Sequence, residues 1–179
     1  MADQKLITSI PILQKHAARL EDENWAFRSY IKGRLKMDDE ELDEVVRART
    51  EEVWSQISCI GCFNCCIALQ PTVDSEDCER LAKRFGLSAK AFRQRYVTKD
   101  QFGDEMLNSM PCPFHSENGC TVYEDRPRAC ADYPYLYSKG FRQRLMGVIQ
   151  NTAVCPVVFN TVEKLKEDLR FRKKGRDRR

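Results

Sequence analysis

Cysteine thiolates are soft donors suited to zinc, Cu(I) and iron–sulfur clusters. This chain places eight of its nine cysteines in a compact pattern: Cys59-x2-Cys62-x2-Cys65-Cys66, then Cys112-Pro113, Cys120, Cys130 and Cys155-Pro156. Three cysteines spaced by two, with a further cysteine followed by proline, is the local arrangement that folds backbone around a [4Fe–4S] cluster. The same C-x2-C unit also builds zinc sites, and four thiolates around Zn form a common structural centre. The pattern therefore predicts a metal centre with Cys59, Cys62, Cys65, Cys66, Cys112, Cys120, Cys130 and Cys155 as candidate ligands. An iron–sulfur cluster is the preferred occupant and Zn the alternative. Adjacent side chains diverge in extended backbone, so Cys65 and Cys66 are not expected to serve one mononuclear ion together. Either one is a spare or resolving thiol, or the pair lies between two centres; eight thiols suffice for two four-ligand sites or for one cluster with four spare sulfurs.

Cysteine density has a competing explanation in secreted disulfide scaffolds, which are short, poor in core and preceded by a signal peptide. The first residues, MADQKLITSIPILQKHAARLEDE, show no basic segment leading into an apolar run and no small-residue cleavage site. No run approaches the roughly 20 apolar residues of a membrane span. The expectation is a cytoplasmic protein without a membrane partner, where thiols stay reduced and hold metal. With 179 residues, 42% hydrophobic, the chain can bury a core of its own, so metal organises rather than replaces it. The formal charge of +3 is uneven: residues 164–179 hold nine Lys or Arg against three acids, leaving −3 for residues 1–163.

The elements that must carry the cysteines read as mainly α, a single domain. Pro11 suits a first helical turn, and Leu13, Ala17, Leu20, Phe27 and Ile31 recur at helical spacing. Asp38 followed by Glu41 starts a second helix whose period runs through Leu42, Val45, Val46, Val53, Trp54 and Ile57. Residues 11–57 are expected to form a helical hairpin, within an N-terminal region 1–58 packed on the core. Asp74 caps a helix running through Phe85, Gly86 ends it in the left-handed conformation, and Ser88 caps another from Ala89 to about Tyr96. Leu81, Phe85, Phe92 and Tyr96 are expected to face inward. From Gln101 to Pro156 the pattern breaks into Pro, Gly and Cys punctuation, as irregular ligand-bearing loops would. Val158, Val162, Leu165 and Leu169 close the chain with a helix from about Val157 to Arg172. Region 59–156 is then the cysteine-cluster domain, and 157–179 the C-terminal helix with a basic, disordered tail.

The strings Cys59-Ile-Gly-Cys62-Phe-Asn-Cys65-Cys66, Cys112-Pro113-Phe114, Cys120-Thr-Val-Tyr123-Glu-Asp-Arg126-Pro127-Arg-Ala-Cys130-Ala-Asp-Tyr133-Pro134 and Cys155-Pro156 carry a family resemblance. They resemble the bacterial YkgJ-like cysteine-cluster proteins, described as zinc- or iron-chelating. The likeness spans about residues 59–156, and Val73 to Tyr96 resembles the family's middle region. It implies metal or cluster binding by the eight cysteines, with Arg126, Pro127, Tyr133 and Pro134 shaping the site; it supplies no reaction or substrate. Where the family commonly has an aliphatic residue, this chain has His115, three positions after Cys112. A surface or hydrogen-bonded histidine is the simpler reading than a ligand. Cys78 lies outside the pattern, and a lone helical cysteine reads as a small buried apolar residue. Arg126 either offsets thiolate charge near the centre or pairs with Glu124 or Asp125 on the surface. Tyr123, Tyr133, Tyr135 and Tyr137 are expected to pack the loops around the site.

No phosphate-binding loop, dinucleotide fingerprint, nucleophile elbow or H-E-x-x-H motif occurs. With only His16 and His115, a histidine base paired to a nucleophile is not expected, and the reading leans away from an enzyme. The favoured class is a metal-binding protein for electron transfer, cluster handling or an accessory role beside another enzyme, with a protein partner. Two alternatives remain: a zinc-structured module binding protein or nucleic acid, and a redox or metal-dependent enzyme with an open coordination position. Arg80 to Tyr96 has a helix-turn-helix look, but Arg95 occupies a position that should be apolar. The basic Arg170–Arg179 run could touch phosphates, though such runs are ordinarily solvated ends.

Overall fold

A computed structural model describes residues 5–172. The described chain is mainly helical. In order it runs α1 (Ile10–Arg19), α2 (Glu21–Gly33), α3 (Asp39–Trp54), α4 (Asn64–Ala68), α5 (Ser75–Arg84) and α6 (Ala89–Tyr96), then strands β1 (Val97–Lys99), β2 (Glu105–Leu107), β3 (His115–Ser116) and β4 (Gly119–Cys120). A 3-10 turn at Tyr123–Asp125 leads into α7 (Arg128–Asp132), followed by α8 (Phe141–Asn151) and α9 (Pro156–Asp168). The chain divides into two compact units, one of residues 1–58 and 134–179, the other of residues 59–133.

The helical unit is built on α3, which packs chiefly against α9 and α8, while α2 lies on α8 and α1 on α9. Its start is fixed by a reciprocal cap, in which the Asp38 carboxylate accepts from Glu41 N–H at 2.8 Å and the Glu41 carboxylate from Asp38 N–H at 3.2 Å. That satisfies two otherwise orphaned donors. Leu13, Phe27, Ile31, Leu42, Val46, Leu145, Val158, Val162 and Leu165 are completely buried. The first apolar face, read as one helix, resolves into α1 and α2 around Leu20 (φ −97°, ψ 5°).

The hairpin expected over residues 11–57 does not close on itself, because α2 packs on α8 while α3 packs on α9 and α8, and two further departures from the sequence reading occur here. The stretch expected to be irregular up to Pro156 contains α8, eleven residues long. Its N-terminus has no local side-chain cap; the Asp43 carboxylate of α3 accepts from Gly140 N–H and Phe141 N–H at 2.7 and 2.9 Å, a cap from 97 residues upstream. The spacing of Phe141, Leu145, Val148 and Ile149, all buried, was the local signal. The second departure is the end of α9, at Asp168 rather than Arg172. Arg170 takes φ 51°, its N–H donates to Glu167 C=O, and Phe171 N–H donates back to Lys166 C=O, a Schellman closure. The Phe171 ring thereby returns onto Phe27 at 5.2 Å and Tyr30 at 5.5 Å. Residues 173–179, most of the expected basic tail, lie outside the described residues.

The cysteine unit has its own core of Val73, Cys78, Leu81, Ala82, Phe92, Leu107, Phe114 and Val122. The central helix pair is as the sequence indicates. Asp74 and Asp77 form a capping box on α5, and Ser88 Oγ accepts from Ala91 N–H on α6. Between them Gly86 sits at φ 64° while Leu87 N–H donates to Ala82 C=O, another Schellman end. Phe92 is fully buried, but Phe85 is 38% exposed. It sits at the C-cap of α5 and lays one face on Phe114 (5.4 Å) while the other meets solvent. Two short antiparallel hairpins complete the unit, pairing Val97 with Leu107 and His115 with Cys120.

Candidate metal centre

Seven of the eight predicted cysteines fall in the cysteine unit, and Cys155 belongs to the helical one. Cys59 is exposed; Cys62, Cys65, Cys66, Cys112, Cys120 and Cys130 are half-buried; Cys155 and the off-pattern Cys78 are buried. Each arrives by a different local device. Cys62 N–H donates to Cys59 C=O, which turns the first pair. Phe63 then takes a left-handed conformation (φ 45°, ψ 14°) that launches α4, and α4 carries Cys65 and Cys66. Cys112 follows a cis Met110–Pro111 bond, and its N–H donates to Cys66 C=O at 2.8 Å, so the first two cysteine blocks are joined through backbone. Cys120 sits on β4 opposite His115, and Cys130 lies in α7, its N–H donating to Pro127 C=O.

These sulfurs feel one another. The Cys66 thiol donates to Cys65, which holds Cys65 below the ordinary thiol range and pushes Cys66 far above it. The two sulfurs of the dipeptide are therefore inequivalent. Burial, with the charge of Cys112, Cys65 and Cys120 added, pushes Cys130 up to about 12. Cys112 is raised by burial, with Cys120 and Cys65 contributing. Cys59 is raised by partial burial and by Cys65 and Cys62, against a lowering from Arg126. Cys59, Cys66, Cys112 and Cys130 therefore resist ionising, each in part because neighbouring thiolates oppose it. A bound cation reverses that penalty, and an all-sulfur donor set fits zinc or iron in chemical type. Among the described residues, no three His, Cys, Asp or Glu side chains already converge so as to hold a metal ion. The fit lies in donor type and neighbourhood.

The remaining predicted residues occupy distinct places. Arg126 does not bond its acidic neighbours in the manner of a surface pair. Its guanidinium lies over the Tyr123 ring at 4.1 Å and donates to Tyr123 C=O at 2.6 Å, while Asp125 is taken by Arg84 at 2.6 Å. Pro127 is the buried N-cap residue of α7, and Tyr133 follows its last turn. His115 is half-buried on β3 with its ring edge-on to Phe63 at 6.3 Å. Cys78 is fully enclosed in the apolar core. Tyr135 and Tyr137 belong to the helical unit, where Tyr137 faces Trp54 at 6.3 Å.

A half-buried ion pair that sequence reasoning left out ties α5 to the Cys130 segment. Asp77, 2% exposed, accepts from Arg80 at 2.5 Å and from Arg128 N–H at 3.0 Å. Arg80 donates onward to the carbonyls of Asp125 (3.3 Å) and Arg126 (2.9 Å). Arg84 adds a bond to Thr121 C=O at 2.8 Å. Two arginines on one face of α5 thus fix the loop from Thr121 to Arg128, between Cys120 and Cys130. The Asp74-x2-Asp77 spacing was visible as a cap, but nothing local marks Asp77 as the anchor of a loop fifty residues away.

Among the described residues, no helix is long and apolar enough to cross a membrane. No match was found among curated proteins or among solved structures. A family model, CxxCxxCC, described as a "Putative zinc- or iron-chelating domain", matches residues 58–156, from the serine before the first cysteine to the proline after the last. That is more than half of the chain and spans every cysteine in the pattern. The chain belongs to the CxxCxxCC family and is a metal-binding cysteine-cluster protein.

Proposed function

We infer that the bound group is an iron–sulfur cluster, and that the protein serves electron transfer, cluster handling or an accessory role to another enzyme in a reducing, cytoplasmic setting. The observation that carries this reading is the gathering of seven of the patterned cysteines in one compact unit. Cys59, Cys62, Cys65, Cys66, Cys112, Cys120 and Cys130 share one unit, and several oppose one another's ionisation. The three-cysteine run supplies the first ligands, and Cys112 or Cys130 a fourth; the inequivalent dipeptide favours Cys65 as ligand and Cys66 as donor of a hydrogen bond to its sulfur. Such a bond, and the charge of Arg126 beside Cys59, would raise a cluster's potential. When bound, the cluster supplies one-electron chemistry; the chain's own residues enclose it and tune its charge. Cys155 remains a candidate on the sequence pattern alone.

Iron, acid-labile sulfide and zinc are to be measured on protein purified without oxygen. Iron and sulfide in matching amounts support the reading. Stoichiometric zinc without sulfide would replace it with the structural zinc module, and folded protein that takes up neither after anaerobic reconstitution would remove metal binding altogether.

A further inference from the structure

We propose that Phe63 is a positioning residue for the metal centre: its ring is a wedge seated on the Cα of Gly119, setting the Cys59–Cys66 segment against the hairpin that carries Cys120. This rests on the metal-binding reading above. The seat is cut to the ring. A Cβ built on Gly119 would fall inside contact distance of Phe63 Cζ, and 2.8 and 3.0 Å from Cε2 and Cε1. No side chain other than hydrogen fits there while the ring stays. Gly119 is buried at φ 107°, a conformation that L-residues rarely adopt, and pairs with Ser116, whose hydroxyl donates to Gly119 C=O at 2.8 Å.

The wedge itself is held in an unfavourable shape. Phe63 has φ 45°, and left-handed backbone is uncommon for a bulky residue. Such conformations persist where the surroundings over-determine them, and they cluster at functional sites. Here the left-handed turn does two things at once. It starts α4, which carries Cys65 and Cys66, and it brings the ring against Gly119 of β4 and edge-on to His115 of β3. The backbone bond from Cys112 N–H to Cys66 C=O is a second tie between these segments. Two attachments, one by backbone and one by ring, fix the first cysteine block relative to Cys112 and Cys120. His115 then has a role as one wall of the ring's seat, which accounts for an imidazole near the cysteines without making it a ligand.

The test uses the full chain with Zn(II) and Co(II) as probes. In metal-free protein, NMR should show the Gly119 α protons shifted upfield by the ring current of Phe63, and Phe63→Ala should return them to ordinary values. Phe63→Ala and Gly119→Ala should each weaken Zn(II) affinity by about 10–100-fold, the range seen when supports of ligand geometry are lost. Both should alter the Co(II) visible band pattern, which reports ligand geometry rather than stability. Phe63→Leu should recover part of the affinity, and adding it to Gly119→Ala should relieve that variant. Ordinary Gly119 shifts in the parent, or folded variants with parental affinity and Co(II) spectrum, would overturn the wedge. Parent protein that binds no metal would overturn the metal reading instead, and the ring-current shift, measured without metal, tells the two failures apart.

Discussion

Replacing Asp77 by alanine is the sharpest probe of how the cysteine unit is assembled. Three interactions go at once: the bond from Asp74 N–H that closes the capping box at 3.3 Å, the bond from Arg128 N–H at 3.0 Å, and the pairing with Arg80 at 2.5 Å. Asp74 still accepts from Asp77 N–H, so the weakened box costs about 0.5 kcal/mol, the low end for a cap. The charge-assisted bonds contribute about 1.5–3 kcal/mol in general, and the Arg80 share is taken low because its side chain is 38% exposed and solvent screens it. The sum is about 3 kcal/mol against closure of the Thr121–Cys130 segment, or about two decades in its opening equilibrium. Trp25 and Trp54 both lie in the helical unit, so tryptophan fluorescence is blind to this change. The assay is alkylation of Cys130 in metal-free protein, followed by peptide mass spectrometry, with zinc affinity measured by chelator competition. Asp77→Ala should speed Cys130 labelling by about 100-fold and weaken zinc about 10–100-fold. Asp77→Asn, which keeps the size and one acceptor, should fall between. Labelling and affinity both within about twofold of the parent would refute the claim that α5 holds the Cys130 segment through this pair.

Cys78→Ala should leave metal stoichiometry unchanged while costing about 1–2 kcal/mol in denaturant stability, because the thiol is enclosed by apolar residues. Phe141→Ala should destabilise the helical unit by about 3–5 kcal/mol, read from tryptophan fluorescence; the side chain is fully buried. The pH response should differ in sign between the metal-free and metal-bound forms. Burial holds Cys130 protonated from its ordinary 9.0 up to about 12, so the metal-free fold gains stability that is present below pH 9 and lost as pH rises through that window. Zinc affinity, which requires thiolate, should instead rise with pH across the neutral range; isothermal denaturation and chelator competition across pH check both.

Much of the fold was legible because it is written locally. The Asp38/Glu41 and Asp74 caps, the Gly86 stop and the Val158–Leu169 stripe specify their elements within a few residues. What was not legible is non-local. Helix α8 is capped by Asp43, and its middle carries Gly147, so its short apolar stripe read as punctuation. The candidate site divides the same way. Cysteine spacing announces the donors, while the devices that place them are a buried aspartate on α5 and a phenylalanine whose only sequence mark is its position between two cysteines. The Cys65-Cys66 question sharpened for a related reason. The sequence shows two adjacent thiols, whereas the structure adds the bond from the Cys66 thiol to Cys65 and the Cys112 amide that donates to the second residue's carbonyl.

The most direct test of the central claim is the visible spectrum of protein purified without oxygen, before and after a chemical reductant. The account predicts a broad brown absorbance that bleaches on reduction, accompanied by iron and acid-labile sulfide, and lost when Cys59 or Cys62 is replaced by serine. A colourless protein carrying zinc and no sulfide would contradict it.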